Sequence, residues 1–145
     1  MILVDSNLLI YAYMPVFPQH ERAKAWLGEV LNGEDSSVGL PWHSLLAFLR
    51  IVTNPRVTRP PASMADVLTR IENLLANPVV FVPQPGEEHV RILRPLLLEA
   101  SQRANLVGDA HLAALAIEHG LTLCSSDADF ARFPALRWTN PLREH

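Results

Sequence analysis

Short apolar runs alternate with longer amphipathic stretches along this chain. Ile2–Asp5 is a short β-branched run that ends on an acid and reads as a first strand. From Gln19 to Leu31, apolar residues fall at Ala23, Trp26, Leu27, Val30 and Leu31, the spacing of one helix face. Ser37–Leu40 reads as a second short strand, and Ser44–Val52 as a helix stopped by the Asn54–Pro55 pair. Ser63–Leu75 is a helix with Ser63 as N-cap and Asp66 three residues on, close to a capping box. Val79–Val82, with proline on both flanks, predicts a third strand. Glu87–Ser101 is helical, with a Pro95 expected to kink or split it. Gly108–His119 is a helix closed by Gly120. Leu121–Ser125 follows as a fourth strand, Asp127–Phe133 as a helical turn and Leu136–Thr139 as a last strand. Thr53–Ala62, rich in Pro and Arg, reads as an exposed loop.

This alternation predicts an α/β fold: a central parallel sheet of four to five short strands with helices on both faces. The strands are nearly continuous apolar runs, as expected when both faces are covered. No repeat or low-complexity tract interrupts the pattern. A length of 145 residues fits one domain spanning 1–145. Such a chain buries roughly two-thirds of its unfolded surface without a disulfide or metal staple.

Composition narrows the function classes. With 49% hydrophobic and 19% charged residues, the chain is no disordered tail. The single cysteine, Cys124, excludes a disulfide framework and a CxxC zinc site, and fits a reducing cytoplasmic setting. The apolar start, Met1–Met14, has no basic n-region and is interrupted by Asp5. Leu8–Pro18 is far short of the ~20 residues that cross a bilayer. The expectation is a cytoplasmic protein with no membrane partner. A net charge of −3 and a pI of about 6.0 do not advertise nucleic-acid binding. Charge is uneven, however. No acid lies between Asp35 and Asp66, where Arg50, Arg56 and Arg59 fall, and Arg56 and Arg59 could reach phosphates from the loop.

Candidate chemistry follows from where the aspartates stand. Four of the six sit at a strand end or a helix start: Asp5, Asp109, Asp127 and Asp129. In an open parallel sheet the strand C-termini share one edge, helices start there, and ligands bind there. Each acid alone has an ordinary role as a helix cap, with Ser126 and Asp129 as a possible capping pair. Together on one rim they repel and raise one another's pKa, and a divalent cation would remove that repulsion. Oxygen ligands without a His or Cys partner point to Mg²⁺ or Mn²⁺. Such sites handle phosphates. Asn7 could orient water or phosphate, and the hydroxyls of Ser125 and Ser126 could bind phosphate or support the acids.

Spacing disfavours several rivals. A phosphoaspartate phosphatase needs Asp-x-Asp after the first strand, and the triplet here is Asp5-Ser6-Asn7. A receiver domain needs an acid ending the third strand, which here ends in Val82–Pro83. There is no Gly-rich phosphate loop and no HExxH pattern. His111 and His119 read as surface or core residues and His43 as an isolated structural one. Trp42 and Trp138 could stack on bases, with core packing the preferred reading.

The segments ILVDSNLLIYAY, FLRIVTNPRV, NLVGDAHLAALAIEHGLTLCSSDADFARF and WTNPL resemble a PIN domain, and within that superfamily a VapC-type toxin of a type II toxin–antitoxin system. The resemblance covers nearly the whole length. It implies a three-layer fold and a Mg²⁺-dependent endoribonuclease whose products carry a 5′-phosphate and a 3′-hydroxyl. Asp5, Asp109 and Asp127 fall on its metal-ligating acids, with Asp129 as an accessory catalytic acid and Asn7 beside Asp5. On this reading Asn7, Ser126, Arg50 and Arg56 meet the RNA. A VapB-like antitoxin and a homodimer are implied partners, with Ser44–Val52 and Ser63–Leu75 as candidate interface elements. One position departs. The family's second acid, a Glu in a Glu-x-x-Arg setting, falls on Ala47 of Ala47-Phe48-Leu49-Arg50. That departure leaves open a catalytically weak PIN-fold module that binds RNA or protein, and a third reading is a metal-dependent phosphohydrolase of small esters on the same rim.

Overall fold

The computed structural model describes residues 1–99 and 106–143. The elements follow in the order β1 (Ile2–Val4), α1 (Ser6–Tyr13), α2 (His20–Asn32), β2 (Val38–Gly39), α3 (Trp42–Val52), α4 (Met64–Ala76), β3 (Val80–Phe81), α5 (His89–Glu99), α6 (Leu106–His119), β4 (Thr122–Cys124) and β5 (Trp138–Thr139). A single 3₁₀ turn, Ala128–Arg132, lies between the last two strands. All pairings are parallel and the sheet order is β3-β2-β1-β4-β5.

Side chains alternate across the short strands and feed two cores. Val4 and Cys124 point into one core, with Leu8, Leu27, Phe48 and Ile71 of α1 to α4. Leu3 and Leu123 point into the other, with Leu96 of α5 and the alanines of α6. The result is three layers, helix–sheet–helix. Ala110, Ala113, Ala114 and Ala116 let α6 lie close on the sheet. Its end is a left-handed glycine cap. Gly120 has φ +67°, its N–H bonds to the Ile117 carbonyl, and the Leu121 N–H bonds to Ala116 at 2.8 Å.

Several boundaries differ from the sequence reading. Strands are shorter than the apolar runs, because pairing lasts only two or three residues in each strand. The helix after Asp5 spans Ser6–Tyr13, a nearly uncharged stretch without amphipathic spacing. The third helix starts at Trp42, capped by Pro41, two residues before the expected Ser44. The expected helix 87–101 runs from His89 to Glu99 and continues through Pro95, while positions 100 and 101 lie outside the described residues. The helix expected from Gly108 begins at Leu106, so Gly108 lies inside it. Ser63 caps α4 as expected, accepting from the Asp66 N–H at 3.0 Å. The 53–62 loop is largely exposed but buries Thr58, whose hydroxyl donates to the Val52 carbonyl. Trp42 is exposed rather than in the core, and the half-buried Trp138 donates its indole N–H to the Ser125 carbonyl at 3.1 Å.

This topology sets the site. Chain order runs outward from β1 in both directions, to β2 on one side and β4 on the other. The C-terminal ends of β1 and β4 therefore flank a switch point, the place where open parallel sheets bind ligands.

Candidate active site

Asp5 leaves the end of β1 and caps α1. Its Oδ1 accepts the Ser6 N–H at 2.7 Å. Its Oδ2 accepts the Ser125 hydroxyl at 2.7 Å, across the switch point from the end of β4. The carboxylate is buried at 9% exposure. Burial and the charge of Asp127 raise its pKa, while the bonds from Ser125 and Ser6 and the charge of His43 oppose that rise.

Ser125 is the hub of the edge. Fully buried, it donates to Asp5 and accepts from Asn7 Nδ2 at 3.1 Å and from the Asp127 N–H at 3.0 Å. That is the full capacity of a hydroxyl. Asn7 completes a bracket by accepting the Ser126 N–H at 3.4 Å. Ser126 does not cap the following turn. Asp127 does, accepting from the Asp129 N–H at 2.9 Å. Asp129 itself is exposed and faces Arg132 at 3.6 Å.

Asp109 projects from the first turn of α6, on the opposite helical layer. It is no N-cap, because the helix starts three residues earlier. Among the described residues its carboxylate accepts no hydrogen bond. Its pKa is pushed up to about 6, first by burial and then by the charges of Asp127, Asp5 and Asp129, with Arg132 opposing. The acids that the sequence placed on one rim are therefore electrostatic neighbours. Capping accounts for Asp5 and Asp127 but leaves Asp109 unexplained.

In donor type and mutual repulsion these oxygens fit a hard divalent cation. As they stand, no three His, Cys, Asp or Glu side chains among the described residues are close enough to hold one. Ion binding would have to draw the carboxylates together.

The remaining expected residues sit on α3 and in the loop after it. Ala47 is half-buried on α3, and Arg50 is exposed in its last turn. Arg56 is exposed in the loop, its backbone N–H bonded to Asn54 Oδ1. His43 is not isolated. Its ring packs on that of His111 at 5.3 Å, and a Cβ on Gly108 would meet it at 3.2 Å. His111 bonds His89 at 3.0 Å, and His89 faces Glu118 at 3.3 Å. Burial, with His43 and His89 beside it, lowers the His111 pKa. No spacing in the sequence announces this cluster, since its members come from three helices. His119 stands apart, exposed, with its ring against the Gln84 carbonyl at 2.8 Å.

Comparison with known proteins agrees with this fold. Residues 2–136 match the PIN domain model. Ribonuclease VapC33 of Mycobacterium tuberculosis is 42% identical over 144 residues, covering 99% of this chain and all of the relative. Ribonuclease VapC37 of the same organism is 39% identical over 97% of each chain. The solved VapBC-1 structure from nontypeable Haemophilus influenzae superposes with a TM-score of 0.70 at 17% identity, covering 99% of this chain and 100% of that one, a likeness of fold. With its acids gathered at the switch point of a five-stranded parallel sheet and relatives of this similarity along its whole length, the chain belongs to the PIN-domain family, among the VapC ribonucleases.

Proposed function

We propose that this protein is the toxic ribonuclease of a type II toxin–antitoxin pair, an endoribonuclease that hydrolyses RNA phosphodiesters at the acidic edge of its sheet with Mg²⁺, or Mn²⁺ in its place. The observation that carries this reading is Asp109, whose ionisation is suppressed by burial and by three neighbouring carboxylates. Such a cluster destabilises the fold unless a cation relieves it. Asp5, Asp109 and Asp127 would hold that ion, with Asp129 as an accessory acid. A bound divalent ion neutralises phosphate oxygens and lowers the pKa of water.

The chain's own residues divide the remaining work. The bonds from Ser125 and the Ser6 N–H favour the ionised form of Asp5 against the rise caused by burial, and fix its orientation. Asn7 ties the start of α1 to Ser125 and Ser126 after β4, which holds Asp5 beside the segment that carries Asp127. Asn7 and Ser126 would meet an arriving phosphate, and Arg50 and Arg56 would attract the backbone of the RNA. In-line attack of water breaks the P–O3′ bond, leaving a 5′-phosphate and a 3′-hydroxyl. Ala47 supplies no ligand, so a second ion would be lost or would have to be held through water.

A VapB-like antitoxin is the proposed partner, placing an Arg at the acidic edge. Exposed Trp42, Leu46, Met64 and Leu68 on α3 and α4 suit an interface with that antitoxin or within a homodimer. Induced expression in a bacterial host tests the reading. Growth arrest is expected, relieved by Asp109→Asn and by co-expression of a small protein encoded beside it. Equal arrest by wild type and Asp109→Asn would overturn it.

A further inference from the structure

His43, Ala47 and Arg50 stand at i, i+4 and i+7 on α3 and so share one face of that helix. On this face the resemblance expects a Glu, and Ala47 provides nothing. One turn toward the acidic edge stands an exposed imidazole, and at the far end an exposed guanidinium. His43 is also placed with some care. It reaches across the edge of the sheet to the opposite helical layer and packs against Gly108, in the turn that carries Asp109.

Gly108 is the first unusual feature. A glycine inside a helix costs about 1 kcal/mol against alanine. Here an alanine methyl would meet His43 Cε1 and Nε2 at 3.2 Å, closer than carbon atoms ordinarily pack. The glycine makes room for the ring.

The second feature lies behind the ring. Glu118 takes the Gly86 N–H at 3.1 Å and faces His89 Nδ1 at 3.3 Å. With Nδ1–H donating to that carboxylate, His89 Nε2 is an acceptor, and it receives Nδ1–H of His111 at 3.0 Å. His111, fixed by this chain of bonds, packs against His43 at 5.3 Å with the rings tilted by 59°. Polar side chains from α5 and α6 thus end in a brace for a single exposed imidazole of α3.

An edge of carboxylates repels the phosphate it must receive, so a hydrogen-bond donor beside it has a clear use. We propose that His43 is a substrate-binding residue that donates an N–H to an RNA phosphate oxygen at the acidic edge, and that Gly108 and the His111–His89–Glu118 chain are its positioning device. The proposal rests on the ribonuclease reading above for the identity of the ligand. Its chemistry is that of a phosphodiester backbone contact, independent of base sequence. The attraction that His43 exerts on the charge of Asp5 fits its place beside the acids.

The test pairs binding with turnover. Fluorescence anisotropy with a labelled RNA hairpin, in EDTA, gives Kd for wild type, His43→Ala, His43→Lys and His89→Phe. Cleavage of the same hairpin in Mg²⁺ gives kcat and KM, with Asp109→Asn as the inactive control. Loss of one phosphate contact predicts a Kd and KM about tenfold higher in His43→Ala, with kcat changed far less. His43→Lys, which keeps a donor, should recover most of the affinity. His89→Phe should weaken binding by a few-fold, and add nothing when combined with His43→Ala. Unchanged Kd and KM in His43→Ala, or a His43→Lys variant as weak as His43→Ala, would overturn the proposal. If wild type cleaves while His43→Ala keeps its KM, this proposal falls and the ribonuclease reading stands. If wild type binds RNA without cutting it, the ribonuclease reading falls and Kd alone decides this one. A wild-type protein that neither binds the hairpin in EDTA nor cleaves it in Mg²⁺ overturns both.

Discussion

Replacing Asp109 by Asn should destroy activity and yet stabilise the metal-free fold at neutral pH. A carboxyl displaced from 3.8 to about 6 corresponds to roughly 3 kcal/mol, at ~1.4 kcal/mol per pH unit. Asp109 is only half-buried, so solvent screening reduces this to about 1–2 kcal/mol. The folded state binds the proton more tightly than the unfolded chain. Stability therefore falls as pH rises from about 4 through 6, and stays low above it. Asparagine removes the charge at nearly constant shape. It also forfeits a favourable interaction with the start of α6, worth about 0.3–1 kcal/mol. The net gain is about 1 kcal/mol, or roughly 2–4 °C in melting temperature for a chain of this size. Thermal denaturation by circular dichroism, in EDTA across pH 4 to 8, measures it. The variant should melt above wild type at pH 7.5, with the gap closing toward pH 4. Excess Mg²⁺ should raise the wild-type melting temperature and leave the variant unmoved. A variant that melts below wild type at pH 7.5, or a gap of equal size at both ends of the range, would refute carboxylate repulsion at this edge.

Three further substitutions probe the surroundings. Ser125→Ala leaves the buried Asp5 carboxylate and the Asn7 amide short of a partner, and should cost about 1–3 kcal/mol in urea unfolding together with most of the activity. Gly120→Ala forces a side chain into a φ of +67° and should lower stability by about 1 kcal/mol, seen as a lower urea midpoint at unchanged slope. Gly108→Ala adds a methyl 3.2 Å from an exposed ring that can swing aside, so the helix should gain about 0.5–1 kcal/mol in the same titration while RNA affinity in anisotropy falls.

Much of the fold was legible because it depends on patterns that the sequence carries directly. Short apolar runs marked the strands, and the spacing in 19–31 and 63–75 marked two amphipathic helices. The helix after Asp5 carries no such spacing, since Leu8, Leu9, Ile10 and Ala12 are buried in succession, and only its cap betrayed it. Gly108 looked like the boundary of a helix because glycine disfavours helix interiors. Its place inside α6 is explained only by a ring from α3, 65 residues away in the chain. The acids were legible for the opposite reason. Strand ends and helix starts share one edge in a parallel sheet, so position in the pattern is position in space. Ser125 could be suspected from its neighbours, but its three bonds depend on Asp5 and Asn7 across the switch point. The Glu118–His89–His111–His43 series had no sequence signal. Its separations follow from how α5 and α6 pack rather than from any period.

The central claim is that this carboxylate edge cuts RNA with a divalent ion, and the direct test is cleavage of total RNA by the purified protein. Mg²⁺, EDTA and the Asp109→Asn variant are the three arms, and the cut ends are mapped. Discrete cuts that require both the ion and Asp109, leaving 5′-phosphate and 3′-hydroxyl ends, are the predicted result. No cuts under any divalent ion, or cuts that persist in EDTA or in Asp109→Asn, would contradict it.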